Sequence, residues 1–294
     1  MRVVVTGAGG MVGHAVSNYC RSSGDTVFSY NHHELDISDR DRVMEALRRD
    51  EPEAVINCAA WTDVDGCELD KARAFAANAE GPENLAIGSR EVDARFVTIS
   101  TDYVFNGEKD GFYTQRDQPC PESVYGLSKL EGERRAQLAN ARTIVVRTGF
   151  VFGPGGINFL STIIARARRG EQLKAIRDAY GTPTYAPDLA RRLRELAEQD
   201  LPGVFQVVNA GAGLSYEEFA RAALDLSGYS SMNLESVAMG SLNRPAPRPR
   251  NSRLRCLLSE KLGLTPLPFW RDSLKDFAAL DSPTERAAKG QPQS

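Results

Sequence analysis

Tyr125 and Lys129 stand four positions apart in the segment YGLSK, which is the only YxxxK in the chain. On a helix this spacing places the phenol and the ammonium on one face. A nearby ammonium favours the phenolate and lowers the tyrosine pKa towards neutrality, which suits a general acid that protonates a developing alkoxide. Pairs with this spacing also arise by chance, so the interpretation depends on what surrounds the pair.

A hydroxyl and a carboxyl group follow the predicted fourth strand, shortly before this pair. Thr101 stands where that strand ends, and Asp102 follows it. A hydroxyl at this place can hydrogen-bond a substrate carbonyl oxygen beside the tyrosine, which makes Thr101 a third catalytic candidate. The alternative is a side-chain turn that only finishes the strand.

Three glycines precede and open the first predicted helix. Gly7, Gly10 and Gly13 form G-x-x-G-x-x-G directly after a short run of valines. Gly7 would make the tight turn, Gly10 would let the backbone approach a pyrophosphate, and Gly13 would let helix and strand pack closely. The phosphates would lie at the positive N-terminus of the helix. The position between a strand and a helix favours dinucleotide binding over a turn without a ligand.

The elements that could position these groups alternate regularly through the first half of the chain. Short β-branched runs predict strands, and segments of helical period between them predict helices, as in βαβ units. The predicted strands cover 2–6, 26–30, 54–57, 95–100 and 143–147, and the predicted helices cover 11–22, 39–49, 72–91 and 124–138. Right-handed crossovers turn such units into a doubly wound parallel sheet, the α/β Rossmann fold, whose ligand crevice lies at the carboxyl ends of the strands.

The pattern loosens after Gly153, where a second region begins. Residues 243–253 are rich in Pro and Arg and are predicted to form an extended arm, not a core element. The other predicted elements are helices over 158–169, 186–199 and 215–227, the last with Ser215 as its N-cap, and a strand over 204–208.

Three regions follow from these elements. We expect a dinucleotide-binding Rossmann domain over 1–155 and a flexible, polar tail over 281–294. Between them, 156–280 would form mainly a smaller C-terminal substrate-binding domain, with some segments returning to the Rossmann domain.

Composition narrows the class of protein. The chain has 294 residues and a net charge of −3, which argues against a protein that binds nucleic acid by neutralising phosphates. Its five cysteines share no CxxC spacing, so we expect a reducing compartment and no metal site. No apolar run approaches the ~18 residues of a membrane span, and the first predicted strand leaves no room for a signal peptide. We therefore expect a cytoplasmic protein that binds neither membrane nor nucleic acid.

The glycine turn, a Thr at a strand end and YxxxK on the next helix resemble the extended short-chain dehydrogenase/reductases. Within them, the running order of further segments is similar to that of the dTDP-4-dehydrorhamnose reductases. The segments that carry this resemblance are 34–37 (ELDI), 57–62 (NCAAWT), 100–107 (STDYVFNG), 125–133 (YGLSKLEGE), 147–153 (RTGFVFG), 180–184 (YGTPT) and 248–254 (RPRNSRL). The resemblance covers nearly the whole chain, to about residue 279, and its later motifs are more specific than the glycine turn.

The resemblance implies a role for each matching residue. Tyr125 would be the acid, Lys129 would bind the nicotinamide ribose and tune Tyr125, and Thr101 would polarise the C4 carbonyl of a sugar. Besides Tyr125 and Lys129, the cofactor would contact Gly7, Gly10, Met11, Val12, Gly13, Asp36, Ile37, Ala59, Ala60, Trp61 and Thr62. The substrate would contact Thr101, Asp102, Tyr103, Phe150 and Arg248. Arg248 would reach the diphosphate with its fork of donors, or else belong to a solvated basic face.

The implied reaction is NAD(P)H-dependent reduction of the C4 keto group of dTDP-4-dehydro-L-rhamnose to dTDP-L-rhamnose. The partner would be this nucleotide sugar, and a homodimer is left open. The alternatives are reduction of another nucleotide-linked keto sugar, or a non-catalytic dinucleotide-binding subunit like the β subunit of methionine adenosyltransferase. A sugar dehydratase is disfavoured, because its relatives place Asp-Glu after the Thr, where this chain has Asp102-Tyr103.

Two local features bear on cofactor and sugar choice. No acid stands at the tip of the second predicted strand before Glu34, and an acid there would repel a 2′-phosphate, so we expect NADPH, with NADH as the alternative. His32 and His33 would meet that phosphate or be exposed turn histidines. The family usually has Ser-Trp where this chain has Gly149-Phe150. Phe150 can still stack on a sugar, but it cannot donate a hydrogen bond.

Overall fold

A computed structural model describes residues 1–280, which form twelve strands and eleven α-helices. The strands are β1 (Arg2–Thr6), β2 (Thr26–Tyr30), β3 (Ala54–Asn57), β4 (Arg95–Thr101), β5 (Thr143–Thr148), β6 (Val151–Phe152), β7 (Leu173–Ile176), β8 (Tyr180–Gly181), β9 (Thr184–Tyr185), β10 (Gly203–Gln206), β11 (Leu214–Ser215) and β12 (Leu234–Val237). The helices are α1 (Met11–Ser22), α2 (Arg40–Asp50), α3 (Val64–Leu69), α4 (Lys71–Phe75), α5 (Gly81–Glu91), α6 (Val124–Ala139), α7 (Phe159–Arg168), α8 (Ala186–Gln199), α9 (Tyr216–Leu226), α10 (Leu257–Lys261) and α11 (Trp270–Leu280). The predicted tail over 281–294 lies outside the described residues.

Six parallel strands form the main sheet in the order β10-β5-β4-β3-β1-β2. Helices cover both faces, which is why β3 and β5 are buried along their whole length. The strand order reverses between β1 and β3, so the crevice opens beside the carboxyl ends at Thr6, Asn57 and Thr101. The predicted doubly wound α/β fold is confirmed.

Two apolar layers hold the helices against the sheet. On one face Val3, Val5 and Ile56 pack with side chains of α1 and α8. On the other face Val4 and Phe96 pack with side chains of α2, α5 and α6. Fully burying one such side chain contributes about 1.5–3 kcal/mol, so these layers fix the strand ends that carry the crevice.

A second lobe is built from α7, α9, α11 and the short strands after β5. Its core contains Phe152, Leu160, Phe219 and Leu274, and a smaller cluster joins α7 and α9 to β7 and β12. By contrast, α8 and β10 come from the second half of the chain but pack with the main sheet. Gly155, Gly156 and Phe159 line the same cavity as Thr101, so the lobe begins at the carboxyl end of the sheet, beside the crevice.

The Pro- and Arg-rich arm is extended as predicted, but its last residues belong to the interior. Asn251 and Ser252 are buried, and Ser252 donates its backbone N–H to the Tyr180 carbonyl at 2.8 Å. The Asn251 side chain also donates to the carbonyl of Gly111 at 2.7 Å. The prediction that the arm is not a core element is wrong for this part, because backbone pairing with β8 holds it inside.

Candidate active site

The glycine turn between β1 and α1 is as tight as its sequence predicts. Gly7 has φ +68°, and a Cβ there would lie 2.5 Å from the Ala59 nitrogen. A Cβ on Gly13 would lie 2.1 Å from the Gly7 carbonyl oxygen, whereas a Cβ on Gly10 would lie no closer than 3.4 Å to any atom beyond its chain neighbours. No side chain caps the start of α1. The first N–H groups of α1 therefore have no side-chain partner and can bind an anion such as a pyrophosphate.

Two adjoining cavities bring the predicted cofactor residues together. They share the walls formed by Gly9, Gly10, Cys58, Ala59 and Ala60. The first is also lined by Gly7, Asp36, Ile37 and Trp61. The second is also lined by Met11, Val12, Gly13, Thr62, Thr101, Asp102, Tyr103, Tyr125, Lys129 and Phe150. The result is one cleft that runs from the end of β2 to the three catalytic candidates.

Helix α6 carries Tyr125 and Lys129 on the side that faces this cleft. Ser123 caps its N-terminus by accepting the Gly126 N–H at 3.1 Å, and Gly126 packs so closely on the Tyr103 carbonyl that a Cβ would lie 2.3 Å from it. The Tyr125 and Thr101 hydroxyls are hydrogen-bonded to each other. The YxxxK pair on α6 and the end of β4 therefore lie next to each other, as predicted.

Burial dominates the ionisation of both groups. It raises the pKa of Tyr125 above its usual range, and the hydrogen bond with Thr101 offsets only part of that rise. It lowers the pKa of Lys129 to about 8, against the opposing effect of the Glu133 carboxylate. The prediction that Lys129 lowers the Tyr125 pKa is wrong for this structure, because the ammonium instead donates to the Ile99 carbonyl at 2.7 Å. The raised pKa keeps the phenol protonated, as a proton donor must be.

A buried ion pair fixes α6 against the sheet one turn beyond Lys129. Glu133 accepts two hydrogen bonds from Arg147 on β5, at 2.9 and 2.6 Å, and a third from the Ser100 hydroxyl on β4. Both charged side chains are almost completely buried. Because removing one partner leaves the other charge buried and uncompensated, this pair should matter for stability and for the placement of α6.

We expect Glu133→Gln to lower the free energy of unfolding by about 3–5 kcal/mol, because the Arg147 charge then stays buried without its carboxylate. Urea denaturation measures this loss. The matched control is Glu260→Gln, which removes an exposed pair with Arg255 and should cost less than about 1 kcal/mol. Equal effects of the two substitutions would contradict this account of the Glu133 pair.

The Asp102 carboxyl lies where the sheet meets the arm. It accepts a hydrogen bond from the Thr101 hydroxyl at 3.1 Å and another from the Ser252 hydroxyl at 2.5 Å. Burial raises its pKa to about 6. Both carboxyl oxygens are therefore engaged within the protein, at the edge of the cavity where the substrate was predicted to lie.

Phe150 adopts a strained backbone and packs on a tyrosine. Its φ of +45° lies in the left-handed region, which a bulky residue rarely adopts and which is typical of functional sites. Its ring centroid lies 4.1 Å from that of Tyr216, and Gly181 packs directly against the same ring. The Tyr216 hydroxyl in turn is hydrogen-bonded to that of Tyr103. Phe150 also lines the cleft, so its stacking on a sugar stays a prediction.

Arg248 is engaged with a carboxylate. Its two terminal nitrogens donate to Asp65 on α3 at 3.0 and 2.9 Å, and the Ala246 N–H donates to the same carboxylate at 3.1 Å. This fork ties the arm to the first half of the chain, and Arg248 also lines a small cavity with Tyr103, Phe150 and Tyr216. The predicted contact of Arg248 with a diphosphate would require the anion to share or replace Asp65.

The far end of the cleft is lined by Asn31, His32, His33 and Arg73. The Arg73 guanidinium lies over the Trp61 ring, 4.4 Å from its centroid. Glu34 turns back to accept the Asn31 N–H at 2.8 Å. The Asp36 carboxyl accepts from the Ser38 hydroxyl at 2.7 Å, and this contact helps to hold its pKa below the usual range despite partial burial.

Within residues 1–280, no group of three or more His, Cys, Asp or Glu side chains is placed to hold a metal ion. In the same range, no helix has the length and apolar character needed to cross a membrane.

A family model described as the RmlD substrate binding domain matches residues 1–282. The chain belongs to this family. It is 37% identical to the dTDP-4-dehydrorhamnose reductase of Mycolicibacterium smegmatis over 281 residues, which cover 95% of this chain and 85% of that protein.

Solved structures of this family agree with the fold. A dTDP-4-dehydrorhamnose reductase from Clostridium acetobutylicum superposes with a TM-score of 0.91 at 35% identity, covering 95% of this chain and 99% of that one. The enzyme of the same name from Bacillus anthracis, crystallised in complex with NADP, superposes with a TM-score of 0.89 at 31% identity. The match covers 94% of this chain and 98% of that one.

Sequence reasoning missed several residues of this RmlD-family site. Asp65, Tyr216 and Ser252 lie far along the chain from the residues they contact, and nothing in their local sequence signals those contacts. The sequence marks Gly149 only as a departure from the usual serine of the family. Arg73 stands on a predicted helix as an ordinary charged residue, and only the fold brings it to the Trp61 ring.

Proposed function

We propose that this protein reduces the C4 keto group of dTDP-4-dehydro-L-rhamnose with NADPH and forms dTDP-L-rhamnose. The observation that carries the proposal is the single cleft that joins the glycine turn to Thr101, Tyr125 and Lys129. A dinucleotide phosphate group at the start of α1 and a ketone beside Tyr125 can then be held at the same time. The relatives named as dTDP-4-dehydrorhamnose reductases support this choice of substrate.

Each residue of the cleft has a separate role in the reduction. NADPH, when bound, supplies the hydride that the C4 carbon accepts. Tyr125 donates its phenol proton to the carbonyl oxygen as negative charge develops there. Thr101 holds the same oxygen with its hydroxyl. Lys129 offers its ammonium to the nicotinamide ribose.

The direct test mixes the purified protein with enzymatically generated dTDP-4-keto sugar and follows the loss of reduced cofactor by its ultraviolet absorbance. We expect oxidation of NADPH in step with the ketone consumed. Stoichiometric recovery of a partner protein without ketone-dependent oxidation would instead favour the regulatory-subunit alternative.

Reduction of a different nucleotide-linked keto sugar is a second candidate. It is favoured by one observation, the Phe150 ring packed on Tyr216 in place of the tryptophan that the family usually has. An indole N–H is therefore missing from this wall of the cavity. A comparison of kcat/KM across keto sugars with different ring substituents separates the two candidates.

For the cofactor, we expect a lower KM for NADPH than for NADH. His32, His33 and Arg73 line the end of the cleft where the adenosine would lie, and a cationic side chain there favours a 2′-phosphate. The Bacillus anthracis relative contains NADP, which supports the same choice. Arg73→Gln should narrow the difference between the two KM values, and an unchanged ratio would remove Arg73 from this role.

The proposal also places the protein in the cytoplasm. The free state of the cysteines among the described residues, Cys20, Cys58, Cys67, Cys120 and Cys256, is what a reducing compartment would allow.

A further inference from the structure

The Asp102 carboxyl joins the catalytic strand to the C-terminal arm. Only 3% of this residue is exposed. One carboxyl oxygen accepts a hydrogen bond from the Thr101 hydroxyl, and the other accepts one from the hydroxyl of Ser252. Ser252 is 150 positions away from Asp102 in the sequence. The arm is thus connected by two hydrogen bonds to the hydroxyl that would hold the substrate oxygen.

Gly149 leaves the space that this arrangement needs. A Cβ at position 149 would lie 2.3 Å from Oδ2 and 2.8 Å from Oδ1 of Asp102. The Ser252 hydroxyl donates to the same oxygen, Oδ2. Any side chain at position 149 must therefore displace the carboxyl from Thr101, Ser252 or both.

The Thr101 hydroxyl has one proton, and Asp102 decides where it points. An ionised carboxylate only accepts hydrogen bonds, so Thr101 must then direct its proton at Asp102. A protonated carboxyl has a donor of its own and can donate to the Thr101 oxygen. The Thr101 proton is then available for a carbonyl oxygen on which negative charge develops.

We propose that Asp102 is a positioning residue for the reduction: in its protonated form it turns the Thr101 hydroxyl towards the substrate oxygen, while Ser252 and Gly149 hold the carboxyl in place. This inference rests on the proposed function. It assigns Asp102 an action through Thr101, and it gives Ser252 and Gly149 roles in the same step.

The surroundings of the carboxyl favour its protonated form, which predominates below about pH 6. Burial raises its pKa to about 6. The titratable groups that face it are Tyr103 beside it in the chain, Tyr125 on α6 and Tyr216 on α9. The arm contributes two cations, Arg244 and Arg248, whose charges interact with the Tyr103 and Tyr216 phenols. It also contributes the neutral Ser252. A substrate that excludes water from the cleft would raise the Asp102 pKa further.

The carboxyl is protonated below its pKa and ionised above it, so kcat should fall about tenfold per pH unit once the pH exceeds the Asp102 pKa. The wild-type profile of kcat at saturating NADPH and keto sugar measures this fall. A second fall near pH 8 would belong to Lys129.

Two variants identify the group. In Asp102→Asn the carboxamide donates to Thr101 at every pH, so the profile of kcat against pH should lose the first fall. In Ser252→Ala the carboxylate loses one hydrogen bond that stabilises it, so the first fall should move to higher pH by about one unit. Ser241→Ala, an exposed serine before the arm, is the matched control and should leave the profile unchanged.

Gly149→Ala should lower kcat at least tenfold with little change in the affinity for NADPH. In a protein that already carries Asp102→Ala, the addition of Gly149→Ala should leave kcat unchanged. Thermal unfolding of each variant shows whether it is folded. A first fall that persists in Asp102→Asn, or one that does not move in folded Ser252→Ala, overturns the inference and leaves the proposed function standing. Absence of turnover in the wild type overturns the proposed function, and the inference with it.

Discussion

Tyr125→Phe lowers kcat for keto-sugar reduction by about 10²–10⁴-fold and leaves the affinity for NADPH unchanged. The substitution removes the phenol proton that the alkoxide must receive, while the aromatic ring and its edge-on contact with Tyr103, 5.9 Å between centroids, are kept. Steady-state kinetics and fluorescence titration with NADPH measure the two quantities separately.

Tyr229→Phe is a control for the loss of a phenol elsewhere, since Tyr229 packs in the second lobe, outside the cleft. It should leave kcat near the wild-type value. Near-normal turnover in Tyr125→Phe would remove this residue from the role of proton donor and leave the fold assignment intact.

Lys129→Met lowers kcat and weakens NADPH binding together, each by about tenfold or more. The substitution keeps a long apolar side chain in a site that is only 4% exposed, but removes the ammonium that would contact the nicotinamide ribose and hold the cofactor beside Tyr125. Lys275→Met, at an exposed position beside Asp272, is the matched control and should change neither quantity.

The pH dependence of the wild type gives an independent test of Lys129. Burial lowers its pKa to about 8, so the ammonium is present below that pH and is lost above it. The part of kcat that depends on the charge should therefore decline as the pH rises through 8, and Lys129→Met should lack this decline. A decline that persists in the variant would assign it to another group.

The sheet could be predicted from the sequence because its signal is local. The valine run of β1 and the β-branched residues of β2 and β3 stand between clear helical periods, and the structure has these three strands at the predicted bounds. One long helix was predicted over 72–91, whereas the structure has α4 and α5 joined by a π-helical turn at Ala76–Glu80. The overall periodicity continues across that turn, so only the hydrogen-bond pattern reveals it.

Contacts between distant residues could not be predicted in the same way. Arg248 looks like a phosphate ligand in a basic arm, but the fold brings it to Asp65, 183 positions away. The pKa of Tyr125 depends on how deeply α6 is buried and on where the Lys129 ammonium turns, and neither is encoded by YxxxK spacing alone. The domain bounds at 155 and 280 and the roles of individual site residues stay predictions.

The central claim is hydride transfer from NADPH to the C4 carbon of a nucleotide-linked 4-keto sugar, with Tyr125 as the proton donor. NADPH carrying deuterium in the transferable position at nicotinamide C4, incubated with the protein and dTDP-4-dehydro-L-rhamnose, tests it most directly. We expect a product that carries deuterium at sugar C4, formed by the wild type and nearly absent with Tyr125→Phe. A wild-type product without deuterium at C4, or no product at all, would contradict it.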